Sequence, residues 1–276
     1  MRAIRIGVAA PGSRIDTTIA EQVTRLAESQ FGTRVALRFH PQCFLSSGHF
    51  AGTDEVRAAA FLEFANDPDL DALWFARGGY GACRIVPAVL DGLEPIAANK
   101  AYLGYSDAGS LLSVLYSRGF GRVAHGPMPA DILRDGGEKA VMRALSFLVD
   151  RAPEAIEGSV DGASPTASFN LIILCHLLGT CYEPDLSGHI VMLEEVSEHL
   201  YRIDRMLCQL TRNAKMRRVV GLRLGRVSLV PPNDPAFNQT PEEIIRHWCA
   251  ESGIPYLGCA DIGHDIDNKI VPFGIF

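Results

Sequence analysis

The sequence predicts an α/β protein: an N-terminal layered α/β domain with a mostly parallel sheet, plus a smaller α+β C-terminal domain. Three observations predict it. Short apolar, β-branched runs alternate with helical stripes across residues 1–150, which implies parallel strands joined by right-handed crossovers. A polar stretch rich in Gly, Pro and Ser follows at 151–166, RAPEAIEGSVDGASPT, and reads as a linker. Beyond it, over 167–276, the texture of the sequence changes.

Residues 3–10, AIRIGVAA, form the first strand and stop at Pro11-Gly12-Ser13. Ile19, Val23 and Leu26 stripe a helix over 16–30, and 34–39 is the second strand. Residues 41–52 are loop-like. Thr53 or Asp54 caps the next helix, with Val56, Ala59, Ala60 and Leu62 expected inward. Residues 71–76, DALWFA, are a third strand and lead into Arg77-Gly78-Gly79-Tyr80-Gly81. A helix near 83–90, a strand over 101–103, the corner Gly104-Tyr105-Ser106-Asp107, a helix, a strand at 122–125 and a helix over 137–149 complete the first half. In the second half, 169–178 is expected to be a buried helix. Residues 188–193 are a strand with Glu194-Glu195 at its end, 198–211 a helix, 219–230 a strand, 241–252 a helix and 256–257 a short strand.

Composition excludes several classes of function. The 276 residues are 47% hydrophobic and 21% charged, ordinary for a globular protein. A net charge of −6 gives no footprint for nucleic acid or an anionic membrane. No apolar run reaches the roughly 20 residues of a spanning helix. The basic, apolar start breaks at Pro11-Gly12, too soon for a signal peptide, so a cytosolic protein is expected. The seven cysteines are irregularly spaced without a C-x-x-C, which suits reduced thiols.

By the rule that α/β sites lie off the carboxyl ends of strands, 11–13, 77–81 and 104–107 should share one edge. Ser106 sits at a strand–turn–helix corner, nearly the nucleophile elbow G-x-S-x-G, with Ala108 in place of the second glycine. Serine is also a preferred N-cap, a role without chemistry. The glycines at 78–81 permit close approach of a ligand, for phosphate cradling, for an oxyanion hole or simply for a tight turn. Arg77 beside them is a plausible carboxylate clamp or a surface ion pair. Glu194-Glu195 would orient a histidine, or form a solvated acidic turn. In the tail, His264 stands among Asp261, Asp265 and Asp267, where it would serve as a general base, or the group would ligate a metal; the spacing matches no metal motif. The other seven histidines have no distinguishing company. The chain order Ser…Glu…His is one by which unrelated folds build a triad.

These stretches together resemble the LD-carboxypeptidase family of serine peptidases, which includes muramoyltetrapeptide carboxypeptidases and microcin C self-immunity peptidases. The resemblance rests on Val8-Ala9-Ala10-Pro11-Gly12-Ser13, on residues 50–57 (FAGTDEVR), on Ala76-Arg77-Gly78-Gly79-Tyr80-Gly81 and on Gly104-Tyr105-Ser106-Asp107. It continues through Asn170-Leu171, residues 193–198 (LEEVSE), residues 201–205 (YRIDR), and Gly263-His264 with Asn268, Pro272 and Gly274. It implies Ser106 as nucleophile, His264 as base, Glu194 as the orienting acid with Glu195 as fallback, and the N–H groups of Gly79 and Asp107 as oxyanion hole. It further implies no cofactor and no metal, a muropeptide as substrate with D-Ala released, a site between two domains, and often a homodimer. Two positions depart from the family pattern. Ala167-Ser168-Phe169-Asn170 stands where Gly-Gly-Asn is usual, and Asp265 follows the histidine where a small residue is common. The second departure predicts an extra carboxylate favouring the charged imidazole.

Overall fold

The computed structural model describes residues 2–276. The first half runs β1 (Ile4–Ala9), α1 (Thr17–Phe31), β2 (Val35–Phe39), α2 (Asp54–Ala65), β3 (Ala72–Phe75), α3 (Ala82–Gly92), β4 (Ala101–Gly104), α4 (Gly109–Ser117), β5 (Arg122–His125) and α5 (Glu138–Asp150). The second runs β6 (Thr166–Asn170), α6 (Leu171–Leu177), β7 (Ile190–Val196), α7 (Leu200–Arg212), β8 (Gly221–Ser228), α8 (Pro241–Ser252), β9 (Tyr256–Cys259) and β10 (Val271–Pro272). One sheet has the order β10-β5-β4-β3-β1-β2, the other β6-β7-β8-β9. The layered first half with its mostly parallel sheet and the smaller second half are both present. The second half, expected to be α+β, has all three of its strand pairings parallel, with helices alternating with its strands.

β3 is buried at every position, as a parallel strand covered on both faces must be, and its ALWF sequence is accordingly apolar without alternation. Thr53 caps α2, its hydroxyl accepting the Val56 N–H, while Asp54 and Glu55 complement the helix dipole. The buried face of α2 is Arg57, Ala58, Ala60, Phe61, Phe64 and Ala65, so Val56 and Ala59, expected inward, stand at the surface and Leu62 is half-buried. A run of three alanines gives little directional signal, and the two phenylalanines set the face.

Two further expectations are corrected. The apolar run at 169–178 is not one helix: its first residues finish β6, buried throughout, and α6 begins only at Leu171. Uniformly apolar runs do not separate a buried strand from a buried helix. Glu194 and Glu195 do not follow a strand but lie inside β7, 0% and 1% exposed.

The chain leaves the second sheet after β9 and returns to the first, where β10 pairs antiparallel with β5. The stretch at 151–166 is zipped to this returning tail. Ile270 N–H donates to the Ala155 carbonyl at 3.0 Å and Glu157 N–H to the Ile270 carbonyl at 2.9 Å. Thr166 and Gly274 exchange backbone hydrogen bonds. The loop joining β9 to β10, residues 260–270, is therefore fastened to both sheets.

On the opposite flank, Arg57 is fully buried. Its guanidinium donates to the carbonyls of Pro11 and Gly81 and to Asp54, tying the loops after β1 and β3 to α2. Arg57→Leu leaves both carbonyls unpaired, and we expect a loss of about 3 kcal/mol in urea unfolding. A loss below about 1 kcal/mol would show that water replaces the guanidinium.

Candidate active site

Three loops at the carboxyl ends of β1, β3 and β4 meet closely. A Cβ on Gly12 would lie 2.1 Å from the Gly79 carbonyl oxygen. One on Gly79, whose φ is +85°, would lie 2.4 Å from Ser13 Oγ. One on Gly78 would lie 3.0 Å from both Cβ and Oγ of Ser106. A side chain is thus excluded sterically at Gly12, strained and crowded at Gly79, and tight at Gly78. Of Gly78 and Gly79, it is Gly78 that lies against Ser106, a distinction that the cluster R-G-G-Y-G does not carry.

Ser106 itself has φ +61°, a left-handed conformation that costs a non-glycine residue on the order of 1–3 kcal/mol and marks a sharp strand-to-helix turn. The bland reading fails here, since neither the 3-10 turn at Ser106–Ala108 nor α4 has a side-chain cap. The hydroxyl faces His264 instead, with Oγ 3.0 Å from Nε2. Asp107 turns its carboxylate away to accept the Ala82 N–H at 2.7 Å, pinning the start of α3. Burial pushes its pKa up, against the N–H groups of Ala82 and Gly81.

His264 comes from the β9–β10 loop. Its Nδ1 lies 2.6 Å from Glu194 Oε2. A carboxylate only accepts, so Nδ1 carries the proton and Nε2 offers its lone pair to the serine hydroxyl. Ser106, His264 and Glu194, separated by 158 and 70 residues, thus form one hydrogen-bonded line across the two sheets. Glu195 is engaged elsewhere. It accepts from the Ile172 N–H, from Asn170 Nδ2 and from the Val196 N–H, each at 2.9 Å, and so caps α6.

The histidine loop is clamped. Asn268 Oδ1 accepts the Gly263 N–H at 3.2 Å, and Arg226 pairs with both Asp261 and Asp265. Asp265, expected to act on the imidazole, is neutralised by that arginine. The pKa of His264 is nonetheless held above its usual 6.5. Burial is the largest influence and works to lower it, but the charge and hydrogen bond of Glu194, with the charges of Asp131 and Glu195, together outweigh it. The ring packs on Tyr105 at 4.9 Å between centroids, and His125 packs on Tyr105 as well, at 5.6 Å. His125 is fully buried, and burial together with the charge of His264 pushes its pKa down to about 3, so it adds no second cation. His125 has company that its sequence context did not signal.

The cavity beside Ser106 is about 270 Å³ and is lined by Arg77, Gly78, Gly79, Tyr105, Met128, Asp131, Leu133, Arg134 and His264. Arg77 is exposed, and its one hydrogen bond is a long 3.4 Å contact with the Arg14 carbonyl. Asp131 and Arg134 lie in a stretch that shows no motif in the sequence. A larger cavity of about 700 Å³ opens at the other end of the sheet, by Ile4, Ala101 and Arg122, away from this chemistry. Both ring nitrogens of His264 are taken, and among the described residues no group of three His, Cys, Asp or Glu side chains is placed to hold a metal.

The family model described as the LD-carboxypeptidase N-terminal domain matches residues 6–126, and the LD-carboxypeptidase C-terminal domain matches 165–276. A putative carboxypeptidase of Synechocystis sp. is 32% identical over 247 residues, 82% of this chain and 75% of that one. The murein tetrapeptide carboxypeptidase of Pseudomonas aeruginosa is 28% identical over 295 residues, 98% of this chain and 91% of that one. The crystal structure of muramoyltetrapeptide carboxypeptidase from Oxalobacter formigenes shares the fold, with a TM-score of 0.80 at 24% identity over 97% of this chain and 93% of that one.

The electrostatics give a direct prediction. An NMR titration of His264 should place its pKa above 6.5, because Glu194, with help from Asp131 and Glu195, offsets burial. In Glu194→Gln only burial remains dominant, so the value should fall by at least about one unit. An unchanged titration would remove Glu194 as the cause.

Proposed function

Because the chain belongs to the LD-carboxypeptidase family of serine peptidases, we propose that it hydrolyses the amide between an L-configured centre and a terminal D-amino acid, D-Ala, of a murein tetrapeptide. On this reading it works in the cytosol on turnover fragments of the wall. The observation that carries the reading is the hydrogen-bonded line from Ser106 through His264 to Glu194. The curated relative named for murein tetrapeptides supports the substrate class.

Ser106 Oγ attacks the scissile carbonyl as its proton passes to His264 Nε2. The imidazolium is stabilised by the buried Glu194. The N–H groups of Gly79 and Asp107 receive the oxyanion, each donor worth about 3 kcal/mol in the transition state. Collapse returns the proton to the leaving amine, D-Ala departs, and water, deprotonated by His264, hydrolyses the seryl ester. Arg77 reaches the substrate from the rim.

The cavity favours a peptide end over an aminoacyl-nucleotide conjugate. At about 270 Å³ it suits a short peptide end better than the larger conjugate, and its two guanidiniums supply partners for a terminal carboxylate.

Ser106→Ala should abolish D-Ala release from an L,D-linked tetrapeptide, by at least about 10⁴-fold, with an unchanged circular dichroism spectrum. In the wild type, kcat/KM should fall as the pH drops through the raised pKa of His264, because only the neutral imidazole accepts the serine proton. Full activity in Ser106→Ala would overturn the reading.

A further inference from the structure

A carboxypeptidase has to recognise the free carboxylate of its substrate's last residue, about one residue length, ~3.5 Å, beyond the scissile nitrogen. The group that does so must therefore line the cavity that holds the nucleophile. Two guanidiniums line it, Arg77 and Arg134, and they differ in how they are held.

Arg134 is preorganised. Its Nε donates to Asp131 Oδ1 at 2.8 Å, and its Nη2 reaches the Tyr105 hydroxyl at 3.4 Å. Asp131 is only 5% exposed and also accepts from the Tyr105 hydroxyl and from the Met128 N–H, both at 2.8 Å. The segment carrying these residues is itself fixed, by the Ala130 N–H on the Ala76 carbonyl at 3.0 Å and by Trp74 Nε1 on the Pro127 carbonyl at 2.8 Å. The guanidinium is thus anchored at one edge. Among the described residues its Nη1 has no partner, and the side chain remains 39% exposed in the cavity wall. Because Asp131 already serves three donors, it leaves the cavity with an excess of positive charge from the two arginines.

We propose that Arg134 is the specificity residue that binds the terminal carboxylate of the substrate through its free Nη edge. This rests on the carboxypeptidase reading of the cavity and names the group that makes the enzyme an exopeptidase. A fixed planar fork meets a carboxylate with two parallel hydrogen bonds and little further loss of side-chain freedom. Arg77, exposed and loosely held, serves the more variable part of the substrate. Met128 and Leu133, beside Arg134, add apolar surface to the same cavity.

The test compares kcat/KM for a synthetic peptide ending in L-Lys-D-Ala with that for its C-terminal carboxamide. The wild type should prefer the acid by at least about 100-fold, since the amide leaves the guanidinium without an anionic partner. Arg134→Ala and Arg134→Gln should both reduce this preference below about 5-fold, and Arg134→Lys should restore part of it. A purely supporting role, through Tyr105 and Asp131, would lower both rates together and leave the ratio intact. An intact ratio in either Arg134→Ala or Arg134→Gln overturns the proposal, as does collapse of the ratio in Arg77→Ala alone. If the wild type cleaves neither peptide, the carboxypeptidase reading itself fails, and the assignment of Arg134 with it.

Discussion

The structure depends on one constraint. A histidine that follows the second sheet must be delivered to a serine that belongs to the first. His264 reaches Ser106 at 3.0 Å only because its loop is fastened at both ends. On one side the Arg226 N–H donates to the Ile262 carbonyl, and the Arg226 guanidinium holds Asp261 and Asp265. On the other, Ile270 is zipped between Ala155 and Glu157 before β10 joins β5. Glu194, inside β7, then fixes the imidazole from behind. The strained turn at Ser106 is held by its neighbours: Gly78 lies against the serine, Phe75 packs on Gly104 at the end of β4, and His264 faces the hydroxyl.

Charge around the site is apportioned residue by residue. Several carboxylates lie nearby, and each has its own work. Glu194 faces His264, Glu195 caps α6, Asp107 holds the start of α3, Asp131 gathers Tyr105, Met128 and Arg134, and Asp265 goes to Arg226. Only Glu194 touches the imidazole. A neutral His125 behind Tyr105 keeps a second positive charge out of the same neighbourhood. The result is an imidazole whose basicity is raised chiefly by one directed interaction, with weaker support from the charges of Asp131 and Glu195.

Much of this was legible in the chain, and the parts that were not have identifiable physical reasons. Alternating strands and helices give the first half, and the turn chemistry at 104–107 points to Ser106. Which of two adjacent glutamates faces the histidine is a matter of which side of β7 each occupies, and a one-residue register cannot be read where β7 and β8 are irregular between Leu193 and Glu195. Gly78 and Gly79 pose the same problem in a loop. The stretch at 151–166 has the composition of a linker, yet its backbone pairs with a tail more than 100 residues away, a non-local contact that composition does not encode. Asp131 and Arg134 sit in an ordinary-looking turn, and their role emerges only from what the fold places opposite them, Tyr105 and the cavity. The apolar run at 169–178 hid a strand–helix junction because burial on all sides removes periodicity.

The central claim is that Ser106 is a nucleophile activated across the two sheets by His264. The most direct measurement is labelling with a serine-directed fluorophosphonate, followed by mass spectrometric mapping of the adduct in the wild type and in His264→Ala. A single adduct on Ser106 in the wild type, and at least about a 100-fold slower reaction in His264→Ala, is the result this account predicts. An adduct on a different residue, or equal labelling of the two proteins, would contradict it.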